Sequence, residues 1–171
     1  MNTQDQLRKL DGAVADLIRR LADTRSPKVK FTKEGGLAIL LYNRTGAVTI
    51  KGQLVKADTA TDDGFILNEA DGPQPIGIIL ESGIADDAPA WIVVAGLADV
   101  AMEDNTAGTH GYWVRTSITE AGYCDATAAA PPGGGIPELD QHMAEVGHCI
   151  ETVAAGGAGT HILARCVIHF N

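Results

Sequence analysis

Aromatic residues are scarce in this chain, with three Phe, three Tyr and two Trp among 171 residues. A core must therefore be filled by aliphatic side chains, alanine and the few aromatics. Glycine, at 20 residues, is abundant enough to punctuate many short elements. No apolar run approaches the roughly 18 residues of a membrane span, which argues against a membrane partner. The N-terminus also lacks the apolar segment of a secretory signal, because Asp5, Arg8, Lys9, Asp11 and Asp16 interrupt it. The expectation is a protein made and assembled in a cytoplasm.

Cysteine is limited to Cys124, Cys149 and Cys166, an odd and widely spaced set. Such a set is no disulfide framework, and it lacks the paired close ligands of a zinc site. Cys149 and Cys166 lie in apolar runs and read as buried free thiols. No metal site and no cofactor are expected.

Motifs of catalysis are missing as well. No Gly-x-x-x-x-Gly-Lys loop occurs, and Gly133-Gly134-Gly135 has neither the lysine nor the strand–helix context to cradle phosphate. The Gly-x-Ser-x-Gly elbow is absent. His148 and Cys149 are adjacent, but neighbours in a strand point to opposite faces and would not meet. Asp58, Asp62, Asp63, Asp86 and Asp87 lack the ligand spacing of a calcium loop and read as solvated turns. Trp91 and Trp113 read as core residues. The chain is expected not to be an enzyme, with no catalytic residue.

Charge is unevenly spread. Residues 1–33 hold eight Lys and Arg against four Asp, a net +4, whereas the whole chain carries −9 and the remainder therefore −13. An acidic body repels nucleic acid. A basic arm on an acidic body suits an acidic partner surface, or keeps the arm solvated.

What the chain does have is a pattern used twice. Lys51-Gly52-Gln53-Leu54-Val55-Lys56 reappears as His110-Gly111-Tyr112-Trp113-Val114-Arg115. Ile76-Gly77-Ile78-Ile79-Leu80-Glu81-Ser82 reappears as Val146-Gly147-His148-Cys149-Ile150-Glu151-Thr152. Each second piece leads to an apolar run, Trp91–Ala95 in one copy and Ile162–Ile168 in the other. The matched carboxylates Glu81 and Glu151 read as solvent-side strand ends rather than an acid–base pair. A repeat of short β units predicts a mainly β fold, a compact β-barrel or β-sandwich with an internal pseudo-repeat.

Strands are predicted near Val29–Lys33, Leu37–Asn43, Ala47–Ala57, Phe65–Glu69, Ile76–Ser82, Ala90–Met102, Tyr112–Thr116, Gly122–Ala126, Ala144–Thr152 and Leu163–Phe170. Turn formers bound them, among them Gly35-Gly36, Asp62-Asp63-Gly64 and Asp71-Gly72-Pro73. Ala128–Gly135, with Pro131-Pro132 and three glycines, reads as an exposed loop inside the second copy, followed by a helical turn near Pro137–Met143. Residues 1–26 form a separate arm and residues 27–171 the body. Within the arm, Leu7, Leu10, Val14, Leu17 and Leu21 alternate in steps of three and four, an a/d stripe that predicts an amphipathic α-helix. Two heptads are too short to stand alone in water. The stripe must pack on its own body, on copies of itself, or on another protein.

The order Gly52–Val55, Ile76–Leu80, Trp91–Gly96, Gly111–Val114, Val146–Glu151 and Leu163–Phe170 resembles the head decoration, or capsid cement, proteins of tailed bacteriophages. The likeness spans about residues 36–171. It implies a rigid β body on the capsid exterior of the virion, assembled in the host cytoplasm as a homotrimer. The major capsid protein is then the partner, and capsid stabilisation the function. The alternatives are a tail-associated or fibre-base β module, and a small β-barrel hydrolase working at a trimer interface.

Overall fold

The computed structural model describes residues 28–128 and 143–170. The predicted arm helix with Leu7, Leu10, Val14, Leu17 and Leu21 lies outside the described residues, as do residues 129–142 of the predicted loop and turn. The described chain is mainly β. Its strands are β1 (Val29–Phe31), β2 (Gly36–Asn43), β3 (Leu54–Ala57), β4 (Gly64–Leu67), β5 (Gly77–Ile79), β6 (Pro89–Ala101), β7 (Trp113–Thr116), β8 (Cys124–Thr127), β9 (Glu145–Cys149) and β10 (Leu163–His169).

Each predicted strand has an observed counterpart; Ile76–Ser82 shortens to Gly77–Ile79, and the largest contraction lies earlier in the chain. Ala47–Ala57 contracts to Leu54–Ala57. Gly52 turns to φ 87°, a left-handed conformation that interrupts an extended run. Upstream of it the backbone bonds into loops instead. Thr49 N–H donates to Ile84 O at 2.9 Å, and Asn43 Nδ2 donates to Ala47 O at 2.7 Å.

The strands form one sheet in the order β1-β2-β4-β3-β5-β6-β10-β9-β7-β8, with a further pairing of β2 to β6. That extra pairing returns the chain of neighbours to its start. β2, β4, β3, β5 and β6 make one closed circuit of pairings. A second circuit runs β6-β10-β9-β7-β8 and closes through a parallel bridge between Met102, just past β6, and Cys124 of β8. The 13-residue strand β6 serves both. Its first part pairs with β2 and β5 and its later part with β10. Between the two parts the register against β2 shifts, and Gly96 takes φ 83°. Bulges and left-handed glycines of this kind bend a strand.

The two circuits share one topology and one register. Leu54 pairs with Ile78 and Val55 with Gly77 in the first; Trp113 pairs with His148 and Val114 with Gly147 in the second. The parallel contact Asn43–Phe65 corresponds to Met102–Cys124. Even the loop bonds repeat, since Gly52 N–H donates to Ile79 O and Gly111 N–H to Cys149 O, both at 2.8 Å. The repeat read in the sequence is a repeat of structure.

The second glycine of the repeat is fixed by close packing. A methyl group on Gly77 would lie 2.9 Å from Val93 O, and one on Gly147 would lie 2.9 Å from Ile168 Cα while striking Val167 O. These contacts are backbone, so they cannot yield as a side chain would.

Inside the first circuit, Val55, Phe65, Ile79, Ala90 and Ile92 form one buried cluster. Inside the second, Val114, Cys124, Cys149, Ala164 and Cys166 are buried, joined by Val100 and Met102. The same cluster takes in Leu54, Ile78, Val93 and Ala38, which point out of the first circuit. The outer wall of the first unit is thus part of the shared core, and burying each large side chain there stabilises the fold by about 1.5–3 kcal/mol.

Candidate functional site

The corresponding outer wall of the second unit is not covered in the same way. Register places Trp113, His148 and Val167 where the first unit has Leu54, Ile78 and Val93. Leu54 is 0% exposed and Ile78 and Val93 are each 1% exposed, whereas Val167 is 38% exposed and Trp113 and His148 are half-buried. Strand alternation adds Arg115, Asp125, Arg165 and His169 to this face.

Polar order runs across it. Arg115 donates through Nε and Nη2 to Asp125 Oδ2, at 3.1 and 2.8 Å. Asp99 of β6 lies between Lys51 Nζ at 2.7 Å and Arg165 Nε at 3.3 Å. Partial burial of that carboxyl opposes ionisation, but the Lys51 ammonium and the Arg165 guanidinium outweigh it and hold Asp99 below the ordinary value of 3.8.

At the centre of the face the Trp113 and His148 rings pack at 4.1 Å between centroids, tilted by 48°. His148 Nδ1 lies 3.1 Å from His169 Nε2, and His169 Nε2 lies 3.5 Å from Glu145 Oε1. Glu145 is 2% exposed. A spacing of three along a regular strand would put Glu145 and His148 on opposite faces. A bulge brings them together: Val114 pairs with Gly147 but Arg115 with Glu145, which leaves Val146 as the extra residue, turned into the core.

A second polar cluster occupies the rim of the same unit. His161 Nε2 faces Asp104 Oδ1 at 3.4 Å and Glu120 Oε2 at 3.2 Å, and the ring stacks on Tyr123 at 3.8 Å. Asp104 Oδ2 accepts from Gly159 N–H at 2.5 Å. In the first unit the matching rim carries the Arg44–Asp87 ion pair.

Both sets contain the donor types that hold a metal ion, and neither figured in the sequence reading, which expected no metal ligands. The first set comes from two strands, β9 and β10, and the second from three separate segments. Only the alternation of Arg165, Val167 and His169 along β10 was a usable signal.

The other sequence expectations resolve as follows. His148 and Cys149 point to opposite sides, with Cys149 at 1% exposure inside the circuit, as strand geometry requires. Cys149 Sγ lies 3.7 Å from Cys166 Sγ, and all three thiols are free and buried. Contact with Cys149 and burial push the Cys166 thiol upward, and burial does the same to Cys124. The Cys149 thiol is moved the other way, downward, by its contact with Cys166, and all three side chains pack as small groups in the buried core. Glu81 and Glu151 are both exposed at matching loop positions; Glu81 lies 3.9 Å from Lys30, and Glu151 accepts from Arg165 N–H at 3.1 Å. Of the tryptophans, Trp91 packs half-buried against the core, as expected in part, whereas Trp113 is half-buried on the outer face and departs from expectation. Lys30 Nζ sits 4.2 Å over the Trp91 ring, a cation–π contact at the surface.

No protein-family model matches this chain, and no curated protein matches it either.

Proposed function

We propose that this protein is a structural component of a phage virion, a decoration protein that binds the outside of the capsid and stabilises it as a homotrimer. The two circuits are read as two small β-barrels fused through β6, a stiff body suited to load rather than turnover. The helix stripe of Leu7, Leu10, Val14, Leu17 and Leu21 is the association element, joining copies of the chain. The major capsid protein is the partner.

One observation carries the reading. β1, the strand that follows the arm in sequence, exposes Val29 at 51% and Phe31 at 83%, and among the described residues it pairs along one edge only, with β2. Large apolar side chains on a half-paired strand are the marks of a surface that meets protein. A lattice of many copies multiplies modest contacts into firm retention, so no single contact needs high affinity.

Cryo-electron microscopy of virions made with and without the gene tests this reading. The expected result is density on the outside of the head that vanishes when the gene is deleted. Density on the tail, or heads that are identical in both preparations, overturns it.

A further inference from the structure

We propose that Glu145, His148 and His169 form a binding site for a divalent first-row transition-metal ion, with zinc as its type. The proposal stands on this geometry alone and does not depend on the virion role. Each residue offers one atom, Glu145 Oε1, His148 Nδ1 and His169 Nε2, all within 4.8 Å of one another, with two of the separations 3.1 and 3.5 Å. Ligands held at about 2.0–2.1 Å around a zinc ion lie roughly 3.0–3.5 Å from one another, the edges of an octahedron or tetrahedron. Both of these separations therefore match the edges of a coordination sphere.

The donor chemistry selects the ion. Two imidazole nitrogens and one carboxylate suit zinc and its transition-metal neighbours, whereas magnesium and calcium take oxygen donors. With both histidines neutral, two ring nitrogens 3.1 Å apart satisfy each other only if one carries its proton toward the other. A metal ion uses both lone pairs at once.

The surroundings hold the ligands in place. Trp113 packs against the His148 ring and sets its plane. The β9 bulge fixes Glu145 beneath the face, where it is 2% exposed. His169, at 44% side-chain exposure, faces solvent, so water can complete the sphere and an ion can enter. This is the open, three-ligand form of a metal site.

The test uses full-length, tag-free protein stripped with chelator, titrated calorimetrically with zinc and separately with magnesium. The expected result is one zinc per chain, no magnesium binding, and a rise in melting temperature with zinc. His169→Ala, at an exposed position, removes both the binding and the rise. His161→Ala, in the other cluster, leaves them intact. Cobalt in place of zinc gives visible d–d bands that His169→Ala abolishes while its far-ultraviolet circular dichroism stays that of the parent. Absence of zinc binding, zinc binding unchanged in His169→Ala, or loss of binding in His161→Ala overturns the proposal.

Discussion

The two units of this protein share a topology and differ in what fills and covers it. Inside, register matches Phe65, Ile79 and Ile92 of the first unit with Cys124, Cys149 and Cys166 of the second. All the cysteines of the chain thus stand where the first unit has large hydrocarbon side chains. Outside, the buried row Leu54, Ile78 and Val93 is matched by the accessible row Trp113, His148 and Val167. The first unit buries its inner face and, through Leu54, Ile78 and Val93, part of its outer wall, while Tyr42 on that wall stays exposed. The second is packed within and, among the described residues, carries a more accessible and more polar outer face. A repeated backbone does not impose a repeated role; burial of the wall decides which copy is scaffold and which is display.

The largest expected effect comes from the interiors. Phe65→Ala should cost about 4 kcal/mol, because a large side chain leaves a cavity that backbone on all sides cannot close. Cys124→Ala, at the matching position, should cost about 1 kcal/mol. Urea denaturation of both variants measures the contrast, and equal losses would mean that the interiors are not equivalent.

The next effect concerns the first glycine of the repeat. Gly52 and Gly111 take φ 87° and 83°, but only Gly52 is crowded, with Ala101 N 2.8 Å from where a methyl group would sit. Gly111→Ala should cost about 1 kcal/mol of backbone strain. Gly52→Ala should cost about 3 kcal/mol, since overpacking adds to the same strain. Thermal melts of the pair separate conformation from crowding.

The smallest effect is electrostatic and belongs to the seam where β6 meets β10. The carboxyl of Asp99 is held below 3.8 in the folded state, so its contribution is present above that pH. It is lost as pH falls from 3.8 toward the lower folded value. Asp99→Asn should therefore cost about 1 kcal/mol at neutral pH, a figure kept small by solvent screening. The gap between variant and parent should close on acidification below pH 3.8, as seen in melts across pH.

Much of this fold was legible because its glycines are obligatory. Gly52 and Gly111 must turn, Gly77 and Gly147 must let a backbone pass, and these needs left the repeat visible in spite of drift elsewhere. Strand positions followed from turn residues between apolar runs. What stayed hidden depends on pairing rather than on local pattern. A long apolar run at Pro89–Ala101 announces a strand, but not that its two parts serve two circuits. The exchange of Phe65 for Cys124 is invisible until register is known. The Glu145–His148–His169 set was obscured by its own bulge, since the spacing of three speaks against a common face. The exposure of Trp113 likewise reflects which wall is covered, a tertiary fact.

Sedimentation equilibrium of the full chain, beside a chain lacking residues 1–26, probes the central claim of a rigid two-unit body gathered into trimers by its arm. The account predicts three times the 17.8 kDa chain mass for the full protein and a single-chain mass for the truncated one. A full-length monomer, or the same oligomer with and without the arm, would contradict it.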